Sequence, residues 1–397
     1  MAKTTATEEL IEAIARGTEQ VLETLADIFS GNRHTLRDGT EFCPVMLPRD
    51  LAAHSNVQTE WWYYTGHLKS ASGRRYGFEL VFFKRRTDQD RFGPVPLRLL
   101  GNPYYFAHFA ISDLESGTFR YSHKKSCNGP LDEEAEAAED HYFLRFGTWA
   151  IFQAGDAHTM RAEMEDGTRL DIAMTPRKPV VLNGKSGVSF KDEGQASRYF
   201  SYTRMEIAGS LLVNGRREEV RGTGWMDREF GTWQPTENQK GWDWFSIQLE
   251  DNTELMCYQL RNSRGDISPY SCGTFVNQTG QAIHLENSQF KIEPIGVWRS
   301  SSTGAEYPSN WIVTVPSIEL TLRITPLIDD QELDTRGTTM IVYWEGACDV
   351  TGNVRGNQVA GRAYVELVGY DRSHERPNLA YFLLGRPNEL LRKVGLK

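Results

Sequence analysis

The spacing of apolar residues changes once along the chain, near residue 54, from a helical to a strand-like pattern. Leu10, Ile14, Val21, Leu25 and Phe29 share one helical face and predict an amphipathic helix over about residues 7–30. Thr5 with Glu8 offers a capping box, and Ser30-Gly31 a stop. That helix can plug a barrel, lie across an open sheet edge or mediate a homodimer. From residue 54 onward, short apolar or alternating runs are broken by Gly, Pro and Asn, which predicts strands. In the first of them Trp61, Tyr63, Thr65 and His67 share one face, and Trp62, Tyr64, Gly66 and Leu68 the other. Both faces are apolar, so one is expected to meet a cavity and the other a packed layer. Ser70-Ala71-Ser72-Gly73 turns the chain and Tyr76–Phe83 returns it. Glu79 is the exception there: a carboxylate among such neighbours faces water or has a functional partner.

The same pattern then occurs a second time. Trp61-Trp62-Tyr63-Tyr64-Thr65-Gly66-His67-Leu68 and its return strand are echoed by Trp242-Asp243-Trp244-Phe245-Ser246-Ile247-Gln248-Leu249 and Glu254–Tyr258. A second echo closes each half: Gly222-Thr223-Gly224-Trp225-Met226-Asp227 matches Gly361-Arg362-Ala363-Tyr364-Val365-Glu366. In both, an aromatic residue follows the glycine by three places and a carboxylate by five. Two related β-rich modules with an aromatic-lined cavity are expected.

Between the echoes, Arg86–Tyr105 is an irregular stretch suited to a lid or portal, and Leu131–Asp140 an acidic solvent-facing loop. Ser197–Val213 reads as an aromatic-bearing pair of strands closed by Asn214-Gly215. Trp233–Asn238 marks the best boundary, which divides the chain into a lead-in over 1–49, a first module over 50–235 and a second over 236–397. A short helix-like stretch lies at 388–392. Alternating strands and long helices are missing, which disfavours a parallel α/β fold, and no glycine-rich nucleotide loop occurs.

Composition narrows the function classes. Ten Trp, 16 Tyr and 19 Phe suit strands and apolar pockets alike. A net charge of -9 without a Lys/Arg stripe argues against nucleic acid. Five cysteines at widely spaced positions, with no Cys-x-x-Cys, argue against a disulfide scaffold or structural zinc. No stretch approaches a membrane span and the first residues lead into an acidic helical pattern, so a cytoplasmic location is the default expectation.

The densest polar segment is Trp225-Met226-Asp227-Arg228-Glu229-Phe230-Gly231. On a strand, Asp227 and Glu229 share a face and Arg228 takes the other. Paired carboxylates can hold one acid protonated near neutrality; the structural alternative is an Asp-Arg-Glu ion network. Asp243, Glu345 and Glu366 each lie beside an aromatic residue, where a ring face can stabilise a developing carbocation. His67 and His108 lie in aromatic strands, and no histidines form a close metal-ligand pair. Gly-x-Ser-x-Gly and His-Glu-x-x-His are absent.

Glu60 through Leu68, Gly77-Phe78-Glu79-Leu80, Trp225 through Gly231, Gly241 through Phe245 and Gly361 through Tyr370 occur in an order that resembles the lipocalin-like carotenoid 1,2-hydratase/AttH family. Fungal decalin-forming pericyclases are its distant relatives. The resemblance covers about residues 50–372 and implies two consecutive lipocalin-like antiparallel β-barrels with a hydrocarbon-rich ligand near or between them. It also implies hydration, isomerisation or cyclisation of an isoprenoid or polyene without a cofactor. Hydratase-like members carry Tyr-His-Asp-His-Asn-Trp-Gly where this chain has Trp225–Gly231. Asp227 and Gly231 remain, both histidines are replaced, and an arginine cannot relay protons as imidazole does.

The expected catalytic set is Asp227 as the acid or its orienting carboxylate, with Glu229 tuning it and Asp243 and Glu366 as further acids. Trp61, Trp62, Trp225 and Trp244 are expected to shape the pocket, with Tyr64, His67, Glu79, His108, Trp344 and Tyr364 completing it. A pericyclase relying on substrate shape, or a carrier that returns its ligand unchanged, are the rival expectations.

Overall fold

A computed structural model describes residues 45–371 except 89, 93, 94, 97, 99, 100, 131 and 233–238. The expected helix over 7–30, the boundary segment 233–238 and the helix-like stretch at 388–392 lie outside the described residues. No helix among the described residues is long and apolar enough to cross a membrane.

The expected pair of lipocalin-like barrels is present as two curled antiparallel sheets, of 13 and 10 strands. The first runs from Thr59–Ser70 to Arg216–Gly231, and the second from Gln239–Leu249 to Asn357–Val368. In each, the first and last strands pair at the centre, so the ladder order is a meander rolled back on itself. The two edges of each roll follow one another in sequence: Thr118–Ser126 and Ala135–Ala137 in the first sheet, Ala282–Glu286 and Lys291–Arg299 in the second. Rolling places one side chain in two inside. Trp62, Tyr64, Leu68, Phe78 and Leu80 fill the first interior, and Phe245, Trp311, Val313, Leu322 and Trp344 the second.

Two local readings are corrected. Gln195–Val213 is one long strand, not a pair; its hairpin partner is Arg216–Gly231, joined at Asn214-Gly215 with φ of 52° and 72°. A right-twisted two-residue turn needs positive φ at both places, which Asn and Gly adopt at little cost. The acidic stretch after Leu131 is not all loop, because Ala135–Ala137 pairs with Phe143–Phe146.

Arg228 points into the first roll and is fully buried. Its guanidinium stacks 3.9 Å from the Trp62 ring centroid and donates to Glu60 Oε2 at 2.5 Å and the Ala52 carbonyl at 2.8 Å. The expected Asp227-Arg228-Glu229 network is therefore replaced by an Arg228–Glu60 pair. Strand alternation sends Arg228 inward, while its two neighbours leave on the outer face.

The outer faces of the two central strand pairs pack on each other, with the halves related by a pseudo-two-fold axis. His67 and Gln248 hold matching positions in the first echo. His67 Nε2 lies 3.0 Å from the Ala363 carbonyl, and Gln248 Nε2 donates at 2.9 Å to the Gly224 carbonyl, each crossing to the other half. The echoed glycines explain themselves likewise: a Cβ on Gly222 would run into the His67 carbonyl, and one on Gly361 into the Gln248 carbonyl. Beyond the axis, Glu254 is buried and binds Lys178 Nζ at 2.7 Å and Arg204 Nε at 2.5 Å, both from the first half.

Where Gly77 of the first sheet meets the second, a Cβ on it would lie 2.7 Å from the Ala347 Cβ. Both are rigid backbone-borne atoms, so Gly77→Ala is expected to lose about 1–3 kcal/mol through overpacking. Ala347→Gly in the same chain should restore much of it. Urea unfolding of the two single variants and the double variant measures this coupling.

Candidate functional site

The packed outer faces diverge at one end and leave a cavity of about 370 Å³ between the sheets. Its walls are aromatic: Trp61, Tyr63, Phe83 and Phe106 from the first half, Trp242 and Trp244 from the second. The barrel interiors are filled with side chains, so the cavity belongs to neither roll. Its size suits a compact organic molecule or one end of a longer one.

Asp227 and Glu366 both reach this cavity. They are the echoed carboxylates, so each half contributes the same strand position. Their cross-strand neighbours differ, and so do the donors and charges around them. Asp227 faces Ser201, whereas Glu366 faces Glu345.

Asp227 accepts hydrogen bonds from Tyr199 Oη, from Ser201 Oγ at 2.5 Å and from Trp225 Nε1 at 2.6 Å. Trp244 Nε1 donates to Tyr199 Oη at 3.1 Å, which commits the phenol proton to Asp227. These donors favour the carboxylate. Burial outweighs them and, with the Glu229 charge, lifts the Asp227 pKa to about 6.

Glu366 has one donor, Trp242 Nε1 at 3.1 Å. Burial raises its pKa to about 7, and the charges of Asp227 and Glu229 add to the rise. Asp227 and Glu366 thus hold protons unequally.

Glu229 lines the cavity one alternation beyond Asp227 and is ion-paired with Lys191 Nζ at 2.7 Å, with Ser197 Oγ also donating to it. Lys191 is itself buried, 4.7 Å from the Tyr258 ring centroid. On the opposite wall His108 Nδ1 lies 2.7 Å from Tyr343 Oη. Burial drives the His108 pKa well below the usual imidazole value, which keeps the ring neutral. At one end of the cavity Arg85 is bound by Asp90 through contacts of 2.7 Å to each carboxylate oxygen.

Of the residues singled out in the sequence, Asp227, Glu229, Glu366, Trp61, His108 and Trp244 line the cavity. The others do not. Trp62, Tyr64 and Trp344 have the opposite strand parity and pack inside the rolls. Trp225 and Tyr364 lie in the layer between the sheets, away from the cavity lining. His67 lines a separate, much smaller void on the pseudo-axis. Glu79 is buried behind Tyr343, whose hydroxyl donates to it at 3.4 Å. Asp243 alternates with Trp242 and Trp244 and so faces away, held 3.2 Å from Arg261 Nε and accepting from Tyr370 Oη at 2.9 Å.

Sequence reasoning missed Tyr63, Tyr199, Tyr343 and Lys191 as cavity residues. A signal for the first three existed. Tyr63 alternates with Trp61 on one strand face, and Tyr199-x-Ser201 has a second-half counterpart in Tyr343-x-Glu345. Lys191 comes from a short strand outside both echoes and had none.

The chain matches the family model described as AttH-like over residues 39–370. An AttH protein from Nitrosomonas europaea superposes with a TM-score of 0.72 at 32% identity, covering 83% of this chain and 98% of that one. Kievitone hydratase from Nectria haematococca shares the fold, with a TM-score of 0.64 at 16% identity, over 82% of this chain and 93% of that one. Dehydratase asqC from Emericella nidulans is 24% identical over 219 residues, 53% of this chain and 61% of its own length. The match along nearly the whole described chain, with the same fold in a relative at 32% identity, makes the protein a member of the AttH-like family.

Proposed function

We propose that this protein is a cofactor-independent enzyme that adds water to, or removes it from, an apolar natural product. The observation that carries this reading is the pair of carboxylates at equivalent positions of the two halves, facing one aromatic cavity with opposite partners. Asp227 is built as a base: three neutral donors hold it ready as the anion. Glu366 is built as an acid: burial with an indole as its hydrogen-bond donor, and the charges of Asp227 and Glu229 nearby, favour the proton-bearing form.

In the dehydration direction Asp227 takes a proton from carbon and the C–H electron pair forms the new double bond. The C–O bond breaks, and Glu366 gives its proton to the departing hydroxyl, which leaves as water. One proton is taken and one given, so return of the proton from Asp227 to the acid side through solvent restores the site. Hydration is the reverse sequence. Trp61, Tyr63 and Trp244 hold the hydrocarbon and can stabilise positive charge at the carbon that gains or loses the oxygen. The relatives called hydratase and dehydratase support this kind of chemistry. An isoprenoid or polyene substrate follows from the aromatic lining and is part of the proposal.

Incubation of the purified protein with hydroxylated isoprenoids, polyenes and phenolics, followed by mass analysis, tests it. A product differing by one water is expected. An isomer of unchanged mass would move the assignment to cyclisation by the same cavity, and recovery of unaltered ligand would make the protein a carrier. The expected pH profile of kcat/KM is a narrow bell. Activity rises as Asp227 loses its proton near pH 6 and falls as Glu366 loses its own near pH 7. The two limbs belong to the coupled pair.

A further inference from the structure

Behind Glu366 lies a cluster that the reaction above does not use. Glu345 and Glu366 are direct cross-strand partners, so their side chains leave the same face of the second sheet. Glu79 enters from the first sheet and is fully buried, as is Glu345. Glu366 bears on both by repulsion, and no lysine or arginine is among the groups acting on any of the three. One oxygen of each inner acid, Glu79 Oε2 and Glu345 Oε2, is buried with no hydrogen-bond partner among the described residues. The other oxygens meet phenols: Tyr343 Oη donates to Glu79 at 3.4 Å, and Tyr63 Oη to Glu345 at 2.7 Å.

A carboxylate held as the anion at such depth carries a cation or a full set of donors, as Glu254 and Asp227 do in this protein. Glu79 and Glu345 have neither. Three carboxyl groups so arranged cannot all ionise, and the open oxygens are where protons can sit. Other titratable groups nearby do not alter that balance. Asp227 and Glu229 add negative charge to Glu366, Lys191 is engaged by Glu229, and His108 is neutral. Tyr63, Tyr343 and Glu366 all reach the cavity, so the cluster adjoins the site.

We propose that Glu79, Glu345 and Glu366 form a proton store in which the two inner acids stay protonated at neutral pH and reload Glu366 after it has protonated the leaving oxygen. The proposal rests on Glu366 being the acid. In the reload step Glu345 passes its proton to the Glu366 carboxylate and becomes a carboxylate itself. It regains a proton when the one taken up by Asp227 returns through cavity water, so the count over one turnover is unchanged. Glu79 and Glu345 are thus reservoir residues, remote from the substrate.

Infrared spectroscopy of the ligand-free wild-type protein, about one pH unit above neutrality, tests the store without any variant, because Asp227 and Glu366 are then largely ionised. A protonated-carboxyl C=O band that shifts in heavy water is expected. It should weaken in Glu79→Gln and in Glu345→Gln, and vanish in the double variant. Absence of the band in wild type, or its persistence in the double variant, overturns the proposal. Stability offers a second readout. A carboxyl whose pKa is raised by folding stabilises at low pH and loses that contribution as pH rises through its folded value. Glu345→Gln should therefore gain on wild type in thermal midpoint as pH rises, and a difference that stays flat with pH counts against the store. In turnover, Glu345→Gln should release one product per site and then settle to a steady rate lowered on the order of tenfold. If the band is present but Glu366→Gln is fully active, the assignment of Glu366 as the acid fails and the buried acids remain.

Discussion

Asp227→Asn is expected to lower kcat/KM by about 10³-fold on whichever substrate the enzyme proves to turn over. Two effects combine. The amide cannot accept a proton from carbon. It also disturbs its neighbours, because Trp244 Nε1 already donates to Tyr199 Oη and so points the phenol proton at residue 227. With an Asn amide nitrogen at that oxygen's position, two donors face each other. Tyr199→Phe removes only the orienting bond and should cost one to two orders of magnitude less. Steady-state kinetics on both variants, with circular dichroism to confirm folding, makes the test. An Asp227→Asn protein that keeps a tenth or more of its kcat/KM would remove Asp227 from the chemistry. It would leave a cyclase working by substrate shape as the better description.

The largest stability effect is expected at Arg228, within sight of the cavity but turned away from it. Arg228→Met keeps the volume and part of the packing on Trp62, yet leaves the buried Glu60 carboxylate without its nearest cation. Breaking one partner of such a pair costs about 3–5 kcal/mol. Lys84 Nζ, 3.2 Å from Glu60, softens the loss without replacing a guanidinium that also binds the Asp50 and Ala52 carbonyls. Urea unfolding near neutral pH measures it, and removing Glu60 as well should recover part. Acid dependence gives an independent check. Burial alone would raise the Glu60 pKa; the charge of Arg228 overcomes this and holds it down at about 2, below the ordinary value of 4.5. A group so depressed stabilises above its unfolded pKa, and that contribution disappears as pH falls from about 4.5 towards 2. The wild-type protein should lose about 3 kcal/mol across that window from this group, and Arg228→Met much less. Equal acid sensitivity in the two proteins would show that the pair does not govern acid unfolding.

Much of the architecture was legible in the residues. Alternation in Trp61–Leu68 assigned each aromatic side chain to a face correctly, because strand geometry leaves only two choices. The echo between Gly222–Asp227 and Gly361–Glu366 identified the two cavity carboxylates as counterparts. Its glycines are there because the backbone of the paired strand leaves no room for a Cβ. Parity misled where it was not carried through: Trp62 and Tyr64, on the face opposite Trp61, were still expected in the pocket but pack inside the first roll. Asp243 between two tryptophans looked like a walled acid, but it belongs to the other face of its strand, where Arg261 and Tyr370 engage it.

What one chain segment could not state was who stands opposite. Local sequence determined the strands, their two faces, the turns and the repetition, since these depend on side-chain order and on φ, ψ preferences within a few residues. The placing of Ser201 across from Asp227 but Glu345 across from Glu366, the seating of Lys191 on Glu229, and the approach of Glu79 from the other sheet were decided by ladder register and by the packing of two rolled sheets. Those contacts join residues far apart in the chain. Proton affinity follows from burial and from the nearest charge or donor, so two carboxylates that look alike in sequence became unequal only when the tertiary structure chose their neighbours.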